Sequence, residues 1–207
     1  MASPTRPAQG FTLTKLLVVL AVIAVLGFLL STFAVPYALV RCRQIQCRQS
    51  AGSIHLVTMQ MAMDGETNKD PSLGWPGDLK AKGIITNLSD FVTLLVRKGY
   101  LKANDLRIFA GPGYKPYKGT LSNGVLVPPF TEENCEYKVY LVKDSDPANT
   151  VFLASKTGDR GFIVTHKGGD ASVYKKTQPP TLQLPGGGTV ENAENCLNPA
   201  PSVLQRR

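Results

Sequence analysis

Residues 10–40 read GFTLTKLLVVLAVIAVLGFLLSTFAVPYALV, and this stretch decides the fold because it is one long apolar run behind a glycine. No residue from Leu16 to Val40 is charged, and a helix of about 20 residues is enough to cross a hydrocarbon core. A removable secretory signal carries its small-residue cleavage site after the apolar region, whereas Gly10 stands before it. Cleavage after Gly10 would therefore leave the apolar segment on the mature protein. A plain single-pass anchor with an incidental glycine is the alternative.

Two short blocks in this stretch, residues 10–13 (GFTL) and 16–19 (LLVV), resemble the processing signal of type IV prepilins and type II secretion pseudopilins. The resemblance implies that a prepilin peptidase cuts after Gly10 and that Phe11 becomes the methylated N-terminus. It also implies a surface that lies first in inner-membrane lipid and then against other pilin or pseudopilin subunits. The residues that we assign to assembly are Lys15, Leu16, Leu17, Val18 and Val19.

Lys15 departs from the family pattern, which carries a glutamate at the fifth residue of the mature chain. In the family this glutamate is thought to neutralise the N-terminal amine of a neighbouring subunit, and a lysine cannot do so. The first acidic residue of the chain is Asp64, so the apolar run offers Lys15 no partner. Three interpretations stay open: a minor or tip subunit, a lysine that meets the glutamate of a different pilin, or a lysine that reaches the headgroups of an unassembled membrane protein.

The net charge of the chain excludes few classes of function. The distribution of its charged residues argues against a nucleic-acid partner. The chain has 207 residues and a formal net charge of +8, but its Lys and Arg residues are scattered and no nucleic-acid-binding motif occurs. Arg41, Arg43 and Arg48 follow the apolar run, although positive residues prefer the cytoplasmic side. We therefore take the orientation from the resemblance, which implies a single-pass protein of the bacterial inner membrane with its head in the periplasm.

The sequence predicts an α+β protein, and the resemblance implies a pilin-like fold. In that fold a long N-terminal transmembrane helix forms the spine of a small head domain with an antiparallel β-meander. We expect four segments: a leader at 1–10, an N-terminal helix at 11–63 that spans the membrane over about 14–40, a head at 64–176, and a Pro/Gly-rich tail at 177–207 that is disordered.

The helical segment has features that predict its shape and its packing. Pro36 lacks an N–H, which predicts a kink. The lone His55 is expected to be a structural residue rather than a ligand. A partial helical stripe beyond the membrane part is expected to bury against the sheet. This stripe consists of Ile45, Ile54, Leu56, Met59 and Met63.

The head segment carries one helix signal and several strand signals. Residues 88–100 predict a short helix with Ser89 as N-cap and Gly99 at its end. Four later runs alternate or are rich in β-formers, and the short turns between them predict an antiparallel meander. The predicted strands are residues 136–142, 151–155, 161–165 and 171–175.

The cysteines and the possible active-site motifs give weak signals. In many pilins a C-terminal disulfide pins a variable loop, so the resemblance implies a possible Cys135–Cys196 bridge; two reduced cysteines are the alternative. Cys42 and Cys47 are five residues apart on a helix and face different ways. No hydrolase, metalloprotease or phosphate-loop motif occurs, and one aspartate after Gly168-Gly169 is too little for calcium. We therefore expect no enzyme activity, no cofactor and no metal.

The function expected from these observations is structural. The chain is expected to be a subunit, and a minor one, of a type II secretion pseudopilus or a type IV pilus-like filament. The alternative is a membrane-anchored periplasmic binding protein that is processed but does not polymerise.

Overall fold

The computed structural model describes residues 13–31, 35–111, 113–156, 162–174, 184 and 195–198. Its contacts divide the chain into two units, Met1–Cys42 and Arg43–Arg207. The fold is α+β, with helices in the N-terminal part and a small antiparallel sheet later in the chain. The predicted leader, including Gly10, and the predicted mature N-terminus Phe11 lie outside the described residues.

The N-terminal region contains two described helices; residues 11–12 and 32–34 of the predicted helix 11–63 lie outside the described residues. Helix α1 is Leu13–Leu29, and helix α2 is Val35–Asn68. Pro36 is the second residue of α2, and the first turn of a helix tolerates proline because an N–H there has no intrahelical acceptor. Among the described residues, no helix combines the length and the apolar character needed to cross a bilayer.

The described part of the second unit contains two further α-helices and two 3-10 helices. Helix α3 is Pro76–Ala81 and helix α4 is Leu88–Arg97, while the 3-10 helices are Ala103–Phe109 and Glu132–Asn134. The N-cap of α4 is Asn87, whose side chain accepts a hydrogen bond of 2.9 Å from the Asp90 amide. The predicted cap Ser89 is therefore wrong by two positions, because the asparagine oxygen already satisfies an orphan amide of the first turn.

The predicted meander is confirmed. Four strands pair in the order β3-β4-β5-β6, and all three pairs are antiparallel. Strand β3 is shorter than the predicted 136–142, since neighbours such as Glu136 lie just outside the ladder, and β5 extends one residue past its predicted end, to His166. Their bounds are Tyr137–Val139 (β3), Val151–Ser155 (β4), Phe162–His166 (β5) and Ala171–Tyr174 (β6).

A separate hairpin precedes the meander and was not predicted. Strands β1 (Thr120–Ser122) and β2 (Val125–Val127) pair antiparallel around a two-residue turn. The turn residues Asn123 and Gly124 have φ angles of 49° and 77°. Asparagine followed by glycine is the pair that tolerates positive φ at both positions of such a turn.

The prediction of a disordered tail over 177–207 is wrong for the tail residues that the structure describes. Leu184 is buried in the hydrophobic core, and Cys196, Leu197 and Asn198 are also buried. Cys196 pairs with Tyr140 in an antiparallel bridge, on the opposite side of β3 from β4. Residues 195–198 therefore cover the edge that β3 would otherwise expose.

Candidate functional site

Helix α2 has two faces of different character within the second unit. The inner face is buried and consists of Cys47, Ala51, Ile54, Thr58 and Met61. The outer face is turned away from the core and consists of Ile45, Gln49, Gly52, Leu56, Met59 and Met63.

The outer face exposes large apolar side chains. The exposed fractions are 54% for Ile45, 65% for Leu56, 40% for Met59 and 56% for Met63. The prediction that these four side chains bury against the sheet is therefore wrong, and of the predicted stripe only Ile54 is in the core. Scattered exposed hydrophobic residues are ordinary, but a contiguous apolar strip on one helix is typical of an interaction surface.

The outer face has the spacing of a helix-packing seam. From Ile45 to Met63, successive residues of this face are alternately four and three positions apart in the sequence. This is the spacing of a helix that packs along another helix. Gly52 lies in the middle with no atom within 4 Å of an added Cβ, so a neighbouring side chain has room there. Exposed Arg48 and Glu66 lie towards opposite ends of the seam, about 27 Å apart along the helix axis.

Small residues lie on the inner face at the points where other segments approach it closely. A Cβ added to Gly65, one turn beyond Met61, would lie 2.8 Å from both the Cβ and the carbonyl oxygen of Leu73. At the other end of the face, the Tyr137 hydroxyl donates a hydrogen bond of 2.8 Å to the Cys47 carbonyl. Small residues at these positions let the following loop and strand β3 pack directly onto the helix.

His55 fixes α2 to the turn between β5 and β6. Its ring is 3% exposed, lies 5.9 Å from the Trp75 ring centroid, and its Nε2 is 2.7 Å from the Lys167 carbonyl oxygen. The carbonyl accepts, so Nε2 carries the proton. This confirms the prediction that His55 is a structural residue.

A cleft of about 620 Å³ lies beside the C-terminal half of α2. Met59 and Met63 form part of its apolar lining together with Trp75. The Lys167 ammonium lies 5.8 Å from the Trp75 ring centroid and donates to the Asp146 carbonyl at 2.8 Å. The rim carries both signs of charge, contributed by Glu66, Lys69, Asp70, Asp78, Lys82 and Asp144.

Two hydrogen-bonded carboxylates hold the loop that follows α2. The Asp64 carboxylate accepts a bond of 2.7 Å from the Tyr100 hydroxyl, and burial together with this carboxylate raises the pKa of Tyr100 to about 12. The hydroxyl and amide of Ser72, followed by the ammonium of Lys98, lower the pKa of Asp70 to about 2. The end of α2 is therefore attached to α4 and to the residues that follow it.

The Cys135–Cys196 bridge that the resemblance implied is absent, and no disulfide occurs among the four cysteines. Cys196 lies opposite Tyr140, whereas Cys135 precedes Tyr140 by five residues on one extended segment. This places Cys135 about 16 Å along the strand from the position opposite Cys196, while a disulfide needs Cα atoms within about 7 Å. Burial also raises the pKa of Cys135 to about 12, so its thiol stays protonated.

Helix α1 carries the predicted assembly residues and buries none of its side chains. Lys15, Leu16, Leu17, Val18 and Val19 are all exposed on it. Within the described part of the chain, Lys15 forms no ion pair. The described residues also contain no group of three or more His, Cys, Asp or Glu side chains arranged to hold a metal ion.

No protein family model, curated protein or solved structure matches this chain.

Proposed function

We propose that the chain is a structural subunit, and a minor one, of a type II secretion pseudopilus or a type IV pilus-like filament. The observation that carries the proposal is the outer face of α2, an apolar helix-packing seam that the described residues of the chain leave exposed. A helix of a neighbouring subunit would remove this face from water.

Helix α1 supports the same proposal. Its residues are almost entirely apolar and none of them is buried, so the helix requires an apolar surrounding. In the proposed pathway this surrounding is inner-membrane lipid before assembly and the helices of other subunits afterwards. The head is in the periplasm, and the prepilin peptidase acts after Gly10.

Lys15 supports the minor rank. Two ammonium groups from identical neighbours would repel each other where apolar surroundings screen charge poorly. A carboxylate from a different pilin at the same depth would instead pair with it. The proposed position of this subunit is therefore beside unlike subunits rather than within a uniform filament.

N-terminal sequencing and intact mass of the purified mature protein test the processing step. We expect a chain that begins at Phe11 and carries one methyl group. A mature chain with any other N-terminus would contradict the prepilin assignment.

A matched pair of charge insertions tests the assembly step. Leu56→Asp places a carboxylate on the outer face, and Ser53→Asp places one on an exposed position outside that face. We expect Leu56→Asp to remove the protein from sheared filaments or from the isolated secretion complex, while Ser53→Asp leaves its amount unchanged. Equal amounts of both variants in that fraction would contradict the proposal, provided that their melting temperatures agree.

The cleft beside α2 favours a second candidate, a processed membrane-anchored binding protein that does not polymerise. Its volume of about 620 Å³ and its mixed lining suit a small ligand or a short peptide. Trp75 is the single tryptophan of the chain and lines the cleft, so its fluorescence reports directly on occupancy. Ligand-dependent quenching in a protein that is absent from sheared filaments would favour this candidate.

A further inference from the structure

The turn of the β1–β2 hairpin carries the one Asn-Gly sequence of the chain. The ladder pairs Ser122 with Val125, so Asn123 and Gly124 lie between the strands and outside the ladder. The Asn123 side chain is exposed, and among the described residues neither its carboxamide nor the Gly124 amide has a hydrogen-bond partner. A carboxamide that reaches water therefore directly precedes the amide of a glycine.

An asparagine before a glycine can lose its side-chain nitrogen without an enzyme. The Gly124 nitrogen, once its proton has passed to hydroxide, attacks the Asn123 Cγ. A new C–N bond closes a succinimide ring, and the carboxamide nitrogen takes up a proton and leaves as ammonia. Water then opens the ring at either carbonyl, which gives an aspartate or an isoaspartate. Glycine favours the attack because it has no side chain to block the approach.

We propose that Asn123 is a site of this modification in the folded protein, and that the isoaspartate product disrupts the hairpin. The reaction needs only water and is independent of processing after Gly10. It requires rotation of the turn backbone, and the hairpin is held loosely. All of β1 is exposed, and only Leu126 of β2 is buried. A two-stranded hairpin is marginally stable by itself, so the turn opens at a low cost compared with global unfolding.

Asn149 provides a reference within the same chain. It is also exposed, and the residue after it is Thr150. The Thr150 amide donates a hydrogen bond of 3.0 Å to the Pro147 carbonyl, and its side chain is branched at Cβ. Attack at Asn149 must therefore break this hydrogen bond and pass the branched side chain. The two asparagines share their exposure to water and differ in the nucleophile that follows.

The two products differ in their effect on the hairpin. Aspartate tolerates the left-handed conformation that Asn123 adopts with a φ of 49°. Its carboxylate would lie near Arg97 of α4, whose Cδ is 3.6 Å from a Cβ added to Gly124, and such an exposed pair contributes little. Isoaspartate instead adds a carbon atom to the main chain of the turn. Because the length of the loop sets the register of a hairpin, the isoaspartate product is expected to lose the Ser122–Val125 pairing.

Peptide mapping of the purified full chain after incubation in mildly alkaline buffer tests the proposal. Trypsin releases Asn123 in residues 119–138 and Asn149 in residues 144–156, and fragmentation separates Asn123 from Asn134 in the first peptide. Incubation at mildly acidic pH is the control for the chemistry, because the attack needs the loss of the amide proton. Asn123→Gly removes the carboxamide and keeps a residue that tolerates positive φ.

We expect Asn123 to be converted at least about tenfold faster than Asn149, which is a barrier difference of about 1.4 kcal/mol. The conversion is expected to accelerate with pH and to give two products of equal mass and different retention. Asn123→Gly is expected to show no mass gain at this position. Conversion of Asn123 in the folded protein no faster than that of Asn149 would overturn the proposal, whether or not the denatured chain reacts.

Cleavage after Lys118 measures the effect on the hairpin. Fresh protein, incubated protein and the Asn123→Asp variant are treated briefly with trypsin in the folded state. We expect chains that contain isoaspartate to be cut after Lys118 at least about fivefold faster than the other two samples, since local opening exposes the backbone to the protease. Equal rates in all three samples would show that the hairpin keeps its register and would overturn the proposed effect on it.

Discussion

The two faces of helix α2 both carry large apolar side chains, but the head covers only one of them. The inner face is buried and combines the small or polar Ala51 and Thr58 with the large apolar Ile54 and Met61. The outer face carries Leu56 and Met63, and both are mostly exposed. The two faces therefore differ in exposure rather than in apolar character: Ile54 packs within the head, whereas the described residues leave Leu56 and Met63 exposed.

The largest expected difference in stability is between two truncations, one on each face of α2. Ile54→Ala removes a fully buried side chain and is expected to lower the free energy of unfolding by about 2–5 kcal/mol. Leu56→Ala is expected to change it by about 0.5 kcal/mol or less, because the side chain is exposed. Denaturant unfolding of the purified variants measures both. Similar losses for the two variants would mean that the faces are wrongly assigned.

Substitution of two glycines of the same helix is expected to give the next largest effects on stability, and the two effects have opposite signs. Gly65→Ala is expected to destabilise the protein by about 1–3 kcal/mol, since the new Cβ would meet Leu73 at 2.8 Å. Gly52→Ala meets no atom within 4 Å and is expected to stabilise the helix by about 0.5–1 kcal/mol. Thermal unfolding of the two variants measures both effects. A Gly65→Ala variant that is more stable than the wild type would contradict the close contact with Leu73.

A smaller effect on stability is expected when acid protonates Asp70, just after the end of α2. The pKa of Asp70 is lowered from 3.8 to about 2 in the folded protein, first by Ser72, so its contribution to stability is present above pH 3.8 and is lost between about pH 4 and pH 2. Asp70→Asn should remove this part of the pH dependence. Lys98→Ala should keep much of it, because Ser72 still holds the carboxylate. Identical stability profiles of wild type and Asp70→Asn from pH 5 to 2 would contradict the assignment.

The smallest expected effect concerns the thiols. Reductant should leave the melting temperature unchanged, because no disulfide is present. Cys42 is exposed whereas Cys47, on the inner face, is buried, and burial raises the pKa of the Cys47 thiol. Mass spectrometry after maleimide treatment should therefore show Cys42 labelled in the folded protein and all four cysteines labelled after unfolding. A melting temperature that falls on reduction would indicate a bridge.

The sequence was informative where one local signal decides the structure. Strand β4 matches its predicted bounds, because a β-branched and aromatic run between turn residues has few alternatives. The β1–β2 hairpin could also have been predicted from the sequence, since Asn123-Gly124 is a strong hairpin signal. It was missed because the flanking strands are only three residues long.

The remaining features depend on contacts between distant segments. The stripe on α2 was predicted from apolar side chains alone, and the small residues Ala51 and Gly65, which reveal the packed face, carry no hydrophobic signal. The pairing of residues 195–198 with β3 joins segments more than fifty positions apart, and a Pro/Gly-rich composition conceals it. The same register rules out the Cys135–Cys196 bridge.

We propose above that another subunit covers the outer face of α2 in the cell envelope. The most direct test compares the rate at which a membrane-impermeant maleimide labels Leu56→Cys in isolated envelopes and in detergent-purified protein, with Cys42 replaced by serine. Ser53→Cys is the matched control on an exposed position outside the face. We expect labelling of Leu56→Cys to be at least about tenfold slower in envelopes, with no change for Ser53→Cys. Equal rates for Leu56→Cys in the two preparations would contradict the proposal.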